Sequence, residues 1–203
     1  GYFGVDLNRN YDGSQNGDPL GAWGGAGTSD LTSSDVYCGE APFSEPETQA
    51  VRDLVRAHDF QIAFDFHTYD NSVMWPWGYT ENLTADDEYL VDIGEQLAAL
   101  NGYDAAQSVD LYPTTGDTLD WMYGSLNVFP FLFEMGAFSF HPDRTADVLE
   151  IVYENVPPTL LGIELCGDRY QRQFDIAHVP LTDSASSVAG FAVSADITAY
   201  RGV

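Results

Sequence analysis

The chain contains no lysine: its seven basic residues are all arginine, set against 32 Asp and Glu, for a formal net charge of −25 over 203 residues. A field of that sign repels polyanions, which argues against nucleic acid and anionic membrane surfaces as partners. No run approaches the roughly 20 consecutive apolar residues that a membrane span needs. The opening GYFGVDLNRNY lacks the charged, apolar and small-residue order of a secretion signal. Cysteine is scarce too: Cys38 and Cys166 make no disulfide framework, and the sequence leaves open whether they pair or stay as free buried thiols.

What is present is a core. The composition is 44% apolar and 14% aromatic, enough for one full-sized domain or one and a fraction. The acids are spread along the chain, which points to an adapted surface and not to an acidic disordered tail. Abundant Asp with no Lys fits an extracellular protein working in concentrated salt, where ions screen self-repulsion. The alternative is an ordinary acidic secreted protein with some calcium sites.

Residues 12 to 42, rich in Gly, Ser, Asp and Pro, read as a long irregular excursion. Ser44 and Glu47 have capping-box spacing ahead of a helix that carries Val51, Leu54 and Val55 up to about His58. Phe60, Ile62, Phe64 and Phe66 alternate, which predicts a strand with one face buried and His67 at its C-terminal end. An aromatic loop, MWPWGYT, and a helix from about Ala85 to Leu100 follow; Thr84 caps the helix, Asn101 and Gly102 close it, and Tyr89, Leu90, Ile93, Leu97 and Leu100 face inward.

Residues 107 to 125 read as turn-rich, and VFPFLFEM as a central strand buried on both faces and closed by one acid, Glu134. A helix over about 144–154 and a Pro-interrupted apolar stretch lead to Cys166. Residues 167 to 203 read as a linker followed by the first strands of a β-domain, or as a tail. Helices alternating with buried strands predict an α/β fold with a mixed, largely parallel central sheet flanked by helices. Ligands gather at the C-terminal ends of such strands, where His67 and Glu134 both fall. A carboxylate closing so apolar a run is costly unless it has a partner or a task.

Five stretches, GVDLNRNY, FSEPETQAV, FHTYDNSVMWPWGYT, YPTTGDTLDW and FLFEM, stand in this order over residues 1 to 166. Together they resemble the zinc metallocarboxypeptidases of the carboxypeptidase A and B type, most closely the bacterial carboxypeptidase T branch. The resemblance implies the zinc-carboxypeptidase fold and hydrolysis of C-terminal residues from peptides and proteins. It implies that His67 is a zinc ligand and that Glu134 is the general base toward the zinc-bound water and the donor to the leaving amine. Asn8 and Arg9 correspond to the pair that grips the substrate's terminal carboxylate. Tyr112 corresponds to the tyrosine that closes over the substrate, and Tyr69 to the aromatic residue of the neighbouring subsite. Asp117 and Leu119 fall in the loop that lines the pocket for the departing side chain, which implies acceptance of both basic and hydrophobic C-terminal residues.

One departure stands out. The family's first two zinc ligands come from a His-x-x-Glu motif, accompanied by an arginine for the oxyanion, and no His-x-x-Glu occurs in this chain. The expectation is therefore an N-terminally truncated catalytic domain with one of its zinc ligands present and two upstream, inactive as it stands. His58, His141 and His178 read as surface or packing residues. A zinc-free module that recognises peptide C-termini and a structural piece of a larger secreted protein are the competing expectations.

Overall fold

The computed structural model describes residues 4–142, 144–171, 174–178 and 195–199. Four strands form one sheet in the order β1-β4-β2-β3: β1 (Ile62–His67), β4 (Phe129–Glu134), β2 (Ser72–Trp75) and β3 (Asp104–Gln107). β1 runs parallel to β4 and β2 parallel to β3, while β2 and β4 are antiparallel. This is the expected mixed, largely parallel sheet. The helices are α1 (Pro46–Ala57), α2 (Asp87–Asn101), α3 (Thr118–Leu126) and α4 (Thr145–Gln171).

β4 is the axis of the fold, as its sequence predicts. Phe129, Phe131 and Phe133 are at most 1% exposed and join Val73, Trp75 and the inward residues of α2 in the main core. The alternate residue Leu132 packs with Met74 and Leu119 of α3 on the other face. A second cluster on that side holds Tyr11, Phe43, Val55 and Trp121. A fully buried strand cannot alternate with polar residues, hence the continuous apolar run.

β1 departs from expectation. Phe64 and Ile62 pack on the main core, but Phe60 and Phe66 are 42% and 45% exposed. The reason is position: β1 is an edge strand of this sheet among the described residues, and α4 covers only part of its face. Contact there is close, since a Cβ on Gly162 of α4 would sit 2.1 Å from the Phe64 ring.

Several local expectations are corrected. Ser44 does not cap α1; the N-cap is Glu45, with Pro46 opening the helix. The side chain that serves this end is Asn10, fully buried, whose Oδ1 accepts from the Glu45 N–H and the Thr48 hydroxyl while the two protons of its Nδ2 are shared among Cys38 O, Ala41 O and Ser44 Oγ. α2 begins at Asp87, with Asp86 and not Thr84 at its cap, and Leu100 is 47% exposed; Gly102 does close it, at φ +75°. β2 runs into the MWPWGYT stretch through Met74 and Trp75, and its four residues are all buried and so carry no alternation; β3, DAAQ, has neither alternation nor β-branched residues to mark it. The segment read as turns contains α3, begun by the Asp117 side chain accepting from Asp120 N–H.

α4 does not stop before its prolines; it runs through Pro157 and Pro158 to Gln171. Interior prolines cost about 3 kcal/mol each. Packing on α2 and β1 offsets this, helped by Asn155, whose amide donates to Tyr103 Oη and accepts from Asn101 Nδ2. The expected division at residue 166 thus falls inside α4. Beyond it, β5 (Phe174–His178) pairs antiparallel with β6 (Ala195–Ala199), and the rest of the expected linker lies outside the described residues. Cys38 and Cys166 are both free.

Candidate active site

Parallel pairing of β1 with β4 sets His67 and Glu134 opposite each other as Cα partners, the last residues of both strands. Because strand side chains alternate, Glu134 shares the face of Leu132, and His67 that of Asp65 and Ala63. That face borders a cavity of about 220 Å³. Of the residues singled out from sequence, Asn8, Arg9, His67, Tyr112, Asp117, Leu119 and Glu134 all line it. Tyr69 does not; it packs edge-on against Phe140, which does, with ring centroids 4.9 Å apart.

Asn8 and Arg9 lie on a short 3-10 turn, Leu7–Arg9, capped by Asp6. Asn8 Oδ1 accepts from the Thr118 N–H at 3.0 Å, which commits its oxygen to the first turn of α3. Arg9 is only 6% exposed. Its Nε donates to Gly27 O at 3.1 Å and one Nη to Asn8 O at 2.7 Å. A guanidinium has five N–H donors, so most of its valence is left for an anion. No carboxylate among the described residues comes within ion-pair distance of it. The half-exposed Tyr112 ring lies 6.0 Å from the guanidinium carbon. Gly116, at φ +74°, allows this loop to close on the turn: a Cβ there would come 2.5 Å from Arg9 O.

Glu134 has one carboxylate oxygen, Oε2, buried without a hydrogen-bond partner among the described residues. Burial pushes its pKa up, the charges of Asp70 and Asp65 add to that, and His67 and Arg9 oppose it. His67 Nε2 is 3.2 Å from Asp65 Oδ2. Burial pulls the imidazole pKa down, but the hydrogen bond and charge of Asp65, with Glu134 and Asp6 behind, outweigh it, so the net shift is upward. Asp65 shifts down for the reciprocal reason: burial opposes, and His67 and the Thr118 hydroxyl prevail.

Asp117 is 3% exposed and doubly committed, accepting from Asp120 N–H and from the Thr114 hydroxyl at 2.7 Å. Burial raises its pKa, against those two donors and Arg9. Asp120 behind it is raised well above the ordinary carboxylate range by burial and by the charge of Asp117. Leu119, 1% exposed, supplies an apolar wall with Met74 and Leu132. Sequence reasoning missed Asp65, Thr118 and Phe140. Only Asp65 carried a signal, the two-residue spacing that puts it on the face of His67.

The chemistry of the donors tests the zinc that the resemblance implies. With Nε2 turned to Asp65, the His67 ring leaves Nδ1 for a metal, an arrangement usual for metal-bound imidazoles. Yet among the described residues no group of three His, Cys, Asp or Glu could hold a metal ion, and a catalytic zinc takes three protein ligands and a water. These residues fit one corner of a zinc site and do not fit a whole one.

A family model for zinc carboxypeptidases matches residues 2–155. Carboxypeptidase O of Bos taurus is 35% identical over 142 residues, 66% of this chain and 36% of its own length. Carboxypeptidase A4 of Mus musculus is 35% identical over 140 residues, 65% of this chain and 31% of its own. Among solved structures, carboxypeptidase A from Helicoverpa armigera shares the fold with a TM-score of 0.69 at 23% identity, covering 83% of this chain and 43% of that one. The chain thus spans about a third of the length of the curated relatives it matches. With the family model covering most of its residues, the chain belongs to the zinc carboxypeptidase family.

Proposed function

We propose that this chain carries the carboxylate clamp and the general base of a metallocarboxypeptidase. The observation that supports this reading most is Arg9: a buried guanidinium with no carboxylate partner among the described residues, in the same cavity as an unpartnered oxygen of Glu134. A desolvated cation of this kind calls for an anion from outside. Arg9 and the Asn8 amide take the terminal carboxylate of a peptide, and Tyr112 closes over it. Glu134 accepts a proton from water at Oε2 and passes it to the leaving amine. Tyr69 and Phe140 border the neighbouring subsite. Leu119 and Asp117 face the departing side chain, which favours both apolar and basic ends. His67 is this chain's zinc ligand, with the remaining ligands coming from outside the described residues. The sequence beyond α4, which includes the paired β5 and β6, begins a β-type region.

A peptide such as N-acetyl-glycyl-leucine, titrated into the chain by NMR, is expected to shift the signals of Arg9 and Tyr112, and its C-terminal amide is expected not to. N-acetyl-glycyl-arginine is expected to bind comparably. Equal binding of acid and amide would sink the clamp. The second reading, a module that binds peptide C-termini without catalysis, is favoured by the lack of a three-ligand cluster among the described residues.

The acidic surface suits secretion into concentrated salt. At −25, self-repulsion should fall steeply as the Debye length drops from about 10 Å at 0.1 M salt to about 3 Å at 1 M. The expected result is a Tm that climbs with sodium or potassium chloride into the molar range. A flat curve would reject salt adaptation, and saturation by millimolar calcium alone would favour calcium sites.

A further inference from the structure

The clamp and the strand-end histidine are joined by a residue that neither motif contains. We propose that Asp65 is a positioning residue that orients both the His67 imidazole and the Asn8 amide. The proposal rests on the reading of Asn8 and Arg9 as the carboxylate clamp. Asp65 stands two residues before His67 on β1, so the alternation of the strand places both side chains on one face. One oxygen, Oδ2, serves two partners: His67 Nε2 at 3.2 Å and the Thr118 hydroxyl, which donates to it.

Thr118 in turn reaches Asn8. Its N–H donates to Asn8 Oδ1 at 3.0 Å, and its hydroxyl oxygen lies 3.3 Å from the same atom. A hydroxyl has one proton to give. Committed to the carboxylate, the hydroxyl ties the first residue of α3 to β1 and so places the Thr118 N–H that holds Asn8 Oδ1, leaving the Asn8 NH₂ uncommitted. At the other partner, acceptance from Nε2–H selects one neutral tautomer and leaves the Nδ1 lone pair free. The chain His67–Asp65–Thr118–Asn8 therefore sets two groups of one cavity from one carboxylate. No backbone N–H donates to Asp65 among the described residues, so the acid is not explained as a cap.

The test uses the full chain with ¹⁵N-labelled histidine, at alkaline pH where the imidazole is neutral, and N-acetyl-glycyl-leucine as probe. The parent chain is expected to show His67 as a single Nε2–H tautomer. In Asp65→Ala the ring should become a tautomer mixture, and probe affinity should fall about threefold to tenfold, the usual worth of one hydrogen bond. Asp65→Asn keeps an acceptor oxygen and should restore the tautomer and most of the affinity, which a role in bulk stability would not predict. Thr118→Val should leave the tautomer alone and lower probe affinity by a similar factor.

An unchanged tautomer and affinity in Asp65→Ala would overturn the proposal, as would Asp65→Asn behaving like Asp65→Ala. Near-ultraviolet circular dichroism reports folding; if Asp65→Ala does not fold, Thr118→Val decides, and full affinity there overturns the link to Asn8. Arg9→Met in the same titration separates the two readings. Loss of probe with Arg9→Met but none with Asp65→Ala rejects this proposal alone, whereas no loss with Arg9→Met rejects the clamp itself.

Discussion

Replacing Arg9 with methionine is expected to remove measurable binding of free C-terminal carboxylates while leaving the fold in place. Removing one member of a desolvated, hydrogen-bonded charge pair costs about 2–5 kcal/mol. At 1.4 kcal/mol per factor of ten, affinity should fall by about 30-fold or more. Methionine has a comparable unbranched stem, so the burial of the side chain between the Gly27 and Asn8 carbonyls is largely kept. What the fold loses is two hydrogen bonds to carbonyls, about 1–3 kcal/mol together. It also sheds a buried cation that has no acid within ion-pair distance among the described residues, which offsets part of that loss. Binding and stability should therefore separate: a large drop in affinity by calorimetry, a small drop in Tm. If affinity for N-acetyl-glycyl-leucine survives, Arg9 is a structural residue and the carboxylate goes elsewhere.

The parts of this site that could be read in the sequence are those where a residue breaks its local pattern. Glu134 ends a run of apolar residues, and His67 ends an alternating one; both marks come from the strand itself, and parallel pairing brought them into register. The parts that could not be read depend on neighbours distant in the chain. α3 is buried on nearly every side, with Thr118 through Tyr123 all inside, so it has no polar face and no helical period to detect. β2 is hidden for the same reason. The cap of α1 is supplied by Asn10, some 35 residues upstream of the helix end it serves, so local spacing favoured Ser44 instead. α4 carries two prolines that a sequence reading must treat as a stop, and only its packing on α2 and β1 shows why it continues. Asp65 belongs to the same class. Its spacing from His67 is visible, but its second partner, Thr118, sits 53 residues away.

Zinc titrated into this chain is expected to bind weakly and below one equivalent. A complete four-ligand structural site supplies about 10–16 kcal/mol at neutral pH, so a single imidazole supplies about a quarter of that, roughly 2.5–4 kcal/mol. That is millimolar affinity at best, since 1 mM corresponds to about 4 kcal/mol. His67 is the one histidine that lines the cavity, and the acids around it are already engaged or ill-suited. Asp65 is tied to His67 and Thr118. Glu134, its pKa raised first by burial, resists the charged form that a metal needs and would give up its role as base if it ligated. A polybasic surface could not mimic binding here, but the −25 charge can collect zinc loosely, and 1 M salt should remove that part by screening. Calorimetry in high salt is then expected to show at most a shallow isotherm, abolished in His67→Ala, with no hydrolysis of peptide substrates. Tight one-to-one binding that is lost in His67→Ala would mean that this chain gathers a ligand set of its own, and that the donors counted around His67 are too few.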